Sequence, residues 1–262
     1  MTRSLVLCAD DFGLSDGINR AIVELIDLGR LSATSCMTTM PAWTEGAAAA
    51  LIARHDRAAL GLHFNLTEGD NAIPLGKLMQ QSLLGQLDTD RLQQALNQQL
   101  DRFEVLTGRP PDFIDGHQHI QMFPGIRTIV LQTLQQRYQQ QRPWIRVSNP
   151  AIGGHDAGFK ALVLRLMGLG FERQRRQHAV AGNQSFAGMY SLQPDAGFER
   201  MLHHWLKTLP EGALIMCHPG HTDGQSGLAR ARQQEYDWFA SDVFGAALQQ
   251  SQRSLTVMPA LD

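Results

Sequence analysis

The sequence predicts an α/β fold of barrel type, in which parallel strands alternate with helices. Short apolar runs recur along the chain, separated by stretches of helical period. The runs lack clean apolar–polar alternation, as strands covered on both faces do. An apolar content of 43% over 262 residues supports a large buried core and argues against disorder. No linker or internal repeat divides residues 1–262, so a single domain is expected.

Leu5 to Ala9 is the first strand and ends at Asp10-Asp11. Asp16 to Leu28 follows as an amphipathic helix stopping near Gly29. Ala33 to Thr38 and Ala59 to Leu66 are the next buried strands. Residues 67–88 carry Gly69, Pro74, Gly76 and Gly85 and read as a long loop, of the kind that forms lids and substrate walls. Thr89 to Leu106 has helical period and closes at Gly108, ahead of Pro110 and Pro111. Phe113 to Ile120 is the fourth strand, Pro124 to Gln141 a helix and Ile145 to Val147 a short strand. Residues 149–158 and 180–188, rich in Gly, Asn and Ser, read as further loops. Gly197 to Leu209 is helical, and Ala213 to Cys217 and Leu255 to Met258 are the last strands. Strand followed by helix, repeated, is the pattern of a parallel sheet.

A formal charge of -2 offers no electrostatic footprint for nucleic acid. The N-terminal apolar run is too short for a signal peptide and is interrupted by Asp10 and Asp11. Nor does any later run reach the roughly 18 to 20 apolar residues of a membrane span. A soluble cytoplasmic protein is expected. Cys8, Cys36 and Cys217 show no metal-type spacing and read as small buried reduced side chains. No interface stripe is legible, and a homodimer is the default expectation.

Polar residues fall at the ends of the strands. Asp10 and Asp11 end the first, His63 closes the third, His117 and His119 lie in the fourth and His218 follows Ala213 to Cys217. Carboxyl ends of barrel strands gather on one face, where active sites form. Each residue alone has an ordinary reading. Asp10 or Asp11 can cap the following helix, His63 can be a satisfied core histidine and His218 a turn residue before Pro219. His117 and His119, two apart on a strand, point to one side, which suits a metal face or a plain exposed face. Their joint placement is what packing alone does not explain. Two imidazoles and one carboxylate make a metal site with positions left for water and substrate. A second carboxylate can take a proton from that water, and a histidine opposite can protonate a departing amine.

Ala9-Asp10-Asp11-Phe12-Gly13, Gly61-Leu62-His63-Phe64-Asn65-Leu66-Thr67, Asp115-Gly116-His117-Gln118-His119, Met122-Phe123-Pro124 and Met216-Cys217-His218-Pro219 resemble the motifs of the YdjC-like carbohydrate deacetylases (ChbG/HpnK type). They appear in family order over nearly the whole chain. The resemblance implies a distorted TIM-barrel-like (β/α) fold of about seven parallel strands. It also implies one divalent metal ion, Mg²⁺ or Zn²⁺, and deacetylation of an N-acetylglucosamine-type sugar. Carried over by position, Asp11, His63 and His117 are the expected metal ligands. Asp10 becomes the general base, and His218 the general acid or oxyanion stabiliser. His119, Asp115 and Asn65 are expected to face substrate. On softness grounds the donor set suits Zn²⁺ over Mg²⁺.

Gln121 stands where ChbG-type members extend the histidine cluster, and altered substrate contacts are expected from it. The segment Asn183 to Gly188 is closer to the HpnK type, which widens the substrate class to lipid-linked glycosides. Phe159 to Leu169, followed by Arg173, Arg175 and Arg176, has the composition of a helix lying at a membrane surface. A barrel helix packed on the sheet accounts for the same pattern. Two rival functions remain open. A glycoside hydrolase needs two carboxylates flanking the scissile bond; adjacent strand residues such as Asp10 and Asp11 point to opposite faces and make a poor pair. A non-catalytic metal- or sugar-binding module would need neither Asp10 nor His218.

Overall fold

The computed structural model describes residues 2–151, 153–221 and 226–262. Its centre is β1 (Arg3–Phe12), which pairs in parallel with β2 (Ala33–Cys36) on one edge and with β7 (Ala213–Cys217) on the other. The sheet runs on from β2 to β3 (Ala59–Phe64), β4 (Phe113–Gly116) and β5 (Trp144–Ile145), and from β7 to β6 (Phe186–Ala187). A parallel bridge from Ile145 to Gly182 joins the two ends. The result is a distorted barrel of seven parallel strands, with β8 (Arg253–Leu255) added against the first residues of β1.

The closure is thin because β5 and β6 are two residues each. Asn183 completes it with its side chain: its Oδ1 accepts from Val147 N at 2.8 Å and its Nδ2 donates to Val147 O at 3.2 Å. The amide stands in for a missing ladder pair.

Around the ring lie α1 (Asp16–Asp27), α2 (Glu45–Ile52), α3 (Leu75–Leu84), α4 (Thr89–Thr107) and α5 (Ile126–Arg137). They are followed by α6 (Gly158–Met167), α7 (Phe171–Gln177), α8 (Phe198–Thr208), α9 (Gly227–Ala240) and α10 (Asp242–Gln250). In α1 the Ser15 side chain accepts from Ile18 N, and Ile18, Ile22, Leu25 and Ile26 recur at helical spacing on the buried face. Each such side chain contributes about 1.5–3 kcal/mol by leaving water.

Several boundaries differ from the sequence reading. The loop expected over 67–88 contains α3, whose N-cap is Pro74 and whose left-handed C-cap is Gly85. The two residues that read as loop punctuation are the start and stop of a helix. The loop expected over 180–188 contains β6. The fourth strand ends at Gly116 rather than Ile120, and the chain continues as a tight turn, His117–Met122. The last strand lies at Arg253–Leu255, earlier than 255–258. Cys8, Cys36 and Cys217 are free thiols in the core, as expected.

Strand parity decides what enters the barrel. Val6, Cys8, Ala33, Ala59, Phe113, Trp144, Phe186, Leu214 and Met216 form a separate buried cluster inside the ring. Their neighbours Leu5, Leu7, Ala9, Leu60, Leu62, Ile114, Ile145 and Ile215 belong to the layer shared with the helices. Continued by twos, the inward series reaches Asp10, Ser35, His63, Asp115, Arg146 and His218. The polar end of the barrel is the continuation of its apolar interior.

Candidate active site

Asp11 breaks the parity rule and still faces the site. Between Ala9 and Phe12, β1 carries an extra residue relative to β2, and Asp11 sits in the left-handed region at φ 70°. A bulge of this kind re-aims a side chain. Its cost, of order 1–3 kcal/mol for a non-glycine, persists only where surroundings enforce it. Both aspartates therefore reach the same end of the barrel, and the sequence-based argument that alternation separates them is overturned.

His63 lies between two carboxylates. Its Nδ1 pairs with Asp115 Oδ1 at 2.6 Å and its Nε2 stands 3.3 Å from Asp11 Oδ1. Ser35 Oγ is 3.0 Å from the same Nδ1. The short Asp115 contact assigns the Nδ1 proton to that bond and leaves Nε2 for a ligand, as outer carboxylates do for metal-binding histidines. His117 approaches from the turn after β4, with Nδ1 at 3.1 Å from Asp11 Oδ1 and Nε2 at 3.6 Å from Glu68 Oε1.

The ligand atoms of Asp11, His63 and His117 lie within 4.8 Å of one another. Bonds of about 2.0–2.2 Å place neighbouring ligand atoms about 2.9–3.5 Å apart. The observed 3.1 and 3.3 Å edges fit such a site. Its electrostatics fit too. Burial pushes the His63 ring down, but Asp115 and Asp11 outweigh it and lift the ring to about 10. Surroundings that favour a proton on that imidazole also favour a metal ion replacing it. These three residues can hold a divalent ion. A second group, Cys8, Asp10 and Asp115, is already neutralised by a cation of the protein, the Arg146 guanidinium.

Arg146 is fully buried. Its NH1 donates to Asp10 Oδ2 at 2.6 Å, and its NH2 to Asp10 Oδ1 at 2.7 Å and toward Asp115 Oδ2 at 2.7 Å. Burial pushes the Asp10 carboxyl up, but Arg146 outweighs it and holds the group down at about 2. Burial likewise raises Asp11, where Arg232 and the two histidines win and hold it well below the usual carboxylate range. Both aspartates are ionised at neutral pH. Burial depresses the other two rings, His218 to about 4 and His119 to about 3, so both are neutral.

A family model described as YdjC-like protein matches residues 4–250. The chain belongs to the YdjC-like family. A chitooligosaccharide deacetylase of Yersinia pestis (strain Pestoides F) is 30% identical over 234 residues, 85% of this chain and 84% of that protein. Another, from Proteus mirabilis (strain HI4320), is 38% identical over 149 residues, 52% of this chain and 57% of that one. Among solved structures, a protein named for cellobiose-phosphate cleavage from Enterococcus faecalis V583 aligns with TM-score 0.70 at 19% identity, over 98% of this chain and 97% of that one. The Bc1960 peptidoglycan N-acetylglucosamine deacetylase aligns with TM-score 0.52 at 10% identity, over 97% and 85%. At these identities the two structures are likenesses of fold.

Within this YdjC-like barrel, several residues sit elsewhere than the sequence reading put them. Asp115 is 0% exposed, with its oxygens turned to His63 and Arg146, so a sugar cannot reach it. Asn65 is committed to its own loop: Oδ1 accepts from Thr67 N and Glu68 N, and Nδ2 donates to Glu68 O and Thr39 Oγ1. It shapes the segment that brings Glu68 to His117. Gln121 is also fully buried, donating to Arg146 O at 3.1 Å and Ser148 Oγ at 3.2 Å, so it supports Arg146 rather than touching substrate. His117 and His119 do not share a strand face. Gln118 and His119 are left-handed at φ 55° and 60°, and His119 turns away to meet the Phe186 ring edge-on at 5.7 Å.

Arg146, Ser35, Glu68, Arg232 and Glu235 are the polar residues of the site that the sequence reading missed. Arg146 had a signal, a lone charge inside the apolar run Trp144-Ile145-Arg146-Val147. Arg232 and Glu235 come from α9, a segment the sequence reading assigned to no element, and they are 5% and 0% exposed.

Proposed function

We propose that this chain hydrolyses the N-acetyl group of an N-acetylglucosamine-containing carbohydrate, with one divalent metal ion held by Asp11, His63 and His117. The reading is carried by one observation: a three-residue ligand group lies beside a separately held, ionised carboxylate and a neutral histidine. When bound, the ion would polarise the amide carbonyl and make a coordinated water acidic enough to attack near neutral pH. Asp10 would take the proton of the attacking water. Arg146 keeps it charged and fixed, and while Oδ1 also accepts from Ser35 Oγ, Oδ2 retains a lone pair beyond its guanidinium bond. His218, neutral at the end of β7, offers an N–H to the developing oxyanion, and the proton taken from the water passes from Asp10 to the departing amine, directly or by way of the His218 ring. His119 borders the substrate.

The glycoside hydrolase alternative needs a carboxyl that keeps its proton to donate. Asp10 and Asp11 are both held ionised, and the one carboxyl that burial lifts, Glu235 at about 7, has its oxygens taken by the Tyr190 hydroxyl and the His218 N–H, which together disfavour it.

Relatives named chitooligosaccharide deacetylase favour an oligosaccharide substrate. A lipid-linked glycoside is the second reading, favoured by α6. Its inner face packs Ala161, Leu164 and Met167, while Phe159, Leu162, Leu166 and Leu169 remain exposed on the other. Of the basic residues that follow, Arg173 is exposed, Arg176 is exposed but paired with Asp262, and Arg175 is turned inward onto Asp262 and Glu172. No helix among the described residues is long and apolar enough to cross a membrane. Co-flotation of the protein with anionic liposomes supports membrane contact, and its absence removes it. A cytoplasmic homodimer completes the proposal.

Acetate release tests the reaction. The substrates are chitobiose, a nucleotide-linked and a lipid-linked N-acetylglucosamine, each with Mg²⁺, with Zn²⁺ and with chelator. Metal-dependent release that vanishes in Asp11→Ala is expected. Release of reducing ends without acetate establishes the hydrolase alternative. Metal and sugar binding without turnover establishes a binding role.

A further inference from the structure

Helix α9 lies outside every motif discussed above, yet it reaches both sides of the site. Arg232 NH2 donates to Asp11 Oδ2, while its NH1 approaches His218 O at 3.4 Å. One turn later, Glu235 Oε2 accepts the His218 backbone N–H at 2.5 Å, and its Oε1 accepts the Tyr190 hydroxyl at 2.5 Å. The Arg232 carbonyl accepts Gly220 N at 3.1 Å, extending the same helix along the loop after β7. Residues three apart share a helix face. That face holds a candidate metal ligand with one side chain and the main chain of the histidine opposite with the other.

The helix is well placed to hold them still. Trp238 and Phe239 follow on α9 and pack against Phe198 of α8 and Phe244 of α10 at ring separations of 5.0 to 6.3 Å. Tyr190 behind Glu235 is itself buried against Phe198. Among the described residues the His218 ring has no hydrogen-bond partner at Nδ1, and its main chain is held by α9.

We propose that Glu235 is a positioning residue for His218, and that α9 fixes the distance between His218 and Asp11 through the Glu235–Arg232 pair. The carboxylate binds one backbone N–H and transfers no proton. Its shape matters more than its charge. A glutamine oxygen can accept the His218 N–H while its amide donates to Tyr190, whose hydroxyl oxygen can accept. An alanine leaves a buried N–H without a partner, and the loop shifts to find one.

The kinetic arm rests on the hydrolysis proposed above; the spectroscopic arm does not. Wild type, Glu235→Ala and Glu235→Gln are compared by kcat and KM for acetate release and by metal affinity in calorimetry. ¹H–¹⁵N spectra of the histidine rings are recorded alongside, with the His218 signal identified by its loss in His218→Gln. Misplacing a reacting group by about 1 Å costs up to ~100-fold. Glu235→Ala is expected to lower kcat by about 10- to 100-fold, with KM and metal affinity within about twofold and the His218 ring signal broadened or split. Glu235→Gln should recover most of that loss with a single ring signal. Equal losses in both variants, or an unchanged ring signal in Glu235→Ala, overturn the proposal. Should Glu235→Ala not fold, Tyr190→Phe, which frees Glu235 to move, carries the same test with a smaller loss. A wild type that releases no acetate refutes the proposed hydrolysis while leaving the ring spectra to decide on Glu235.

Discussion

Two regions of this molecule place functional side chains by opposite means. Asp10, Ser35, His63, Asp115, Arg146 and His218 follow the inward parity of regular parallel strands, the series that begins with Val6, Ala59, Phe113 and Leu214. Asp11 and His117 are delivered where the period breaks, by a bulge at φ 70° and by a turn with two left-handed residues. The regular region supplies the groups proposed to handle protons and their support. The irregular one supplies two of the three expected metal ligands. A sheet repeats every two residues and cannot aim adjacent side chains at one point, so a site needing Asp10 and Asp11 together needs a defect between them.

Breaking the regular region should have the largest effect. Arg146→Met leaves Asp10 and Asp115 buried without their cation, and removal of one partner from a buried ion pair costs about 3–5 kcal/mol. Denaturant unfolding should show a loss of that order; one below about 1 kcal/mol would mean the carboxylates find other partners. In the irregular region, His117→Ala should weaken metal binding by more than about 100-fold, beyond what outer-shell partners command. His119→Ala should change it by less than about tenfold, and calorimetry distinguishes the two. The reverse order would move the ligand role to His119.

Acid stability separates the regions more gently. Asp10 is lowered to about 2 from an ordinary value near 3.9, so its ionised form stabilises the fold above about pH 4. That contribution fades as pH falls through 2. Urea midpoints should decline between about pH 4 and pH 2 in the wild type and decline less in Arg146→Met, where the guanidinium no longer favours the charged form. Parallel declines would show that other carboxylates dominate. The smallest effect is expected at Gln118, exposed and left-handed. Gln118→Gly relieves the Cβ penalty and should stabilise by about 0.5–1 kcal/mol; a destabilisation of that size would show that the turn is not strained.

Much of the regular region was legible in the sequence, because a polar residue ending an apolar strand stands out in Cys8-Ala9-Asp10-Asp11, Gly61-Leu62-His63 and Met216-Cys217-His218. Counting by twos along Trp144-Ile145-Arg146 would have found Arg146 as well. The irregular region was not legible in this way. Nothing in local composition marks a bulge at Asp11, and His117-Gln118-His119 looks like strand until its φ angles are known. Helix α3 was hidden because Pro74 and Gly85 mark a helix's ends as readily as they mark a loop. Arg232 and Glu235 were hidden for a different reason: their burial depends on where α9 lands, which is a long-range fact.

The division of roles between neighbouring aspartates is tested most directly by metal content and acetate release in Asp10→Asn and Asp11→Asn side by side. Asp10→Asn should bind metal like the wild type and release no acetate, while Asp11→Asn should lose both. Loss of metal from Asp10→Asn with retention in Asp11→Asn would contradict the account.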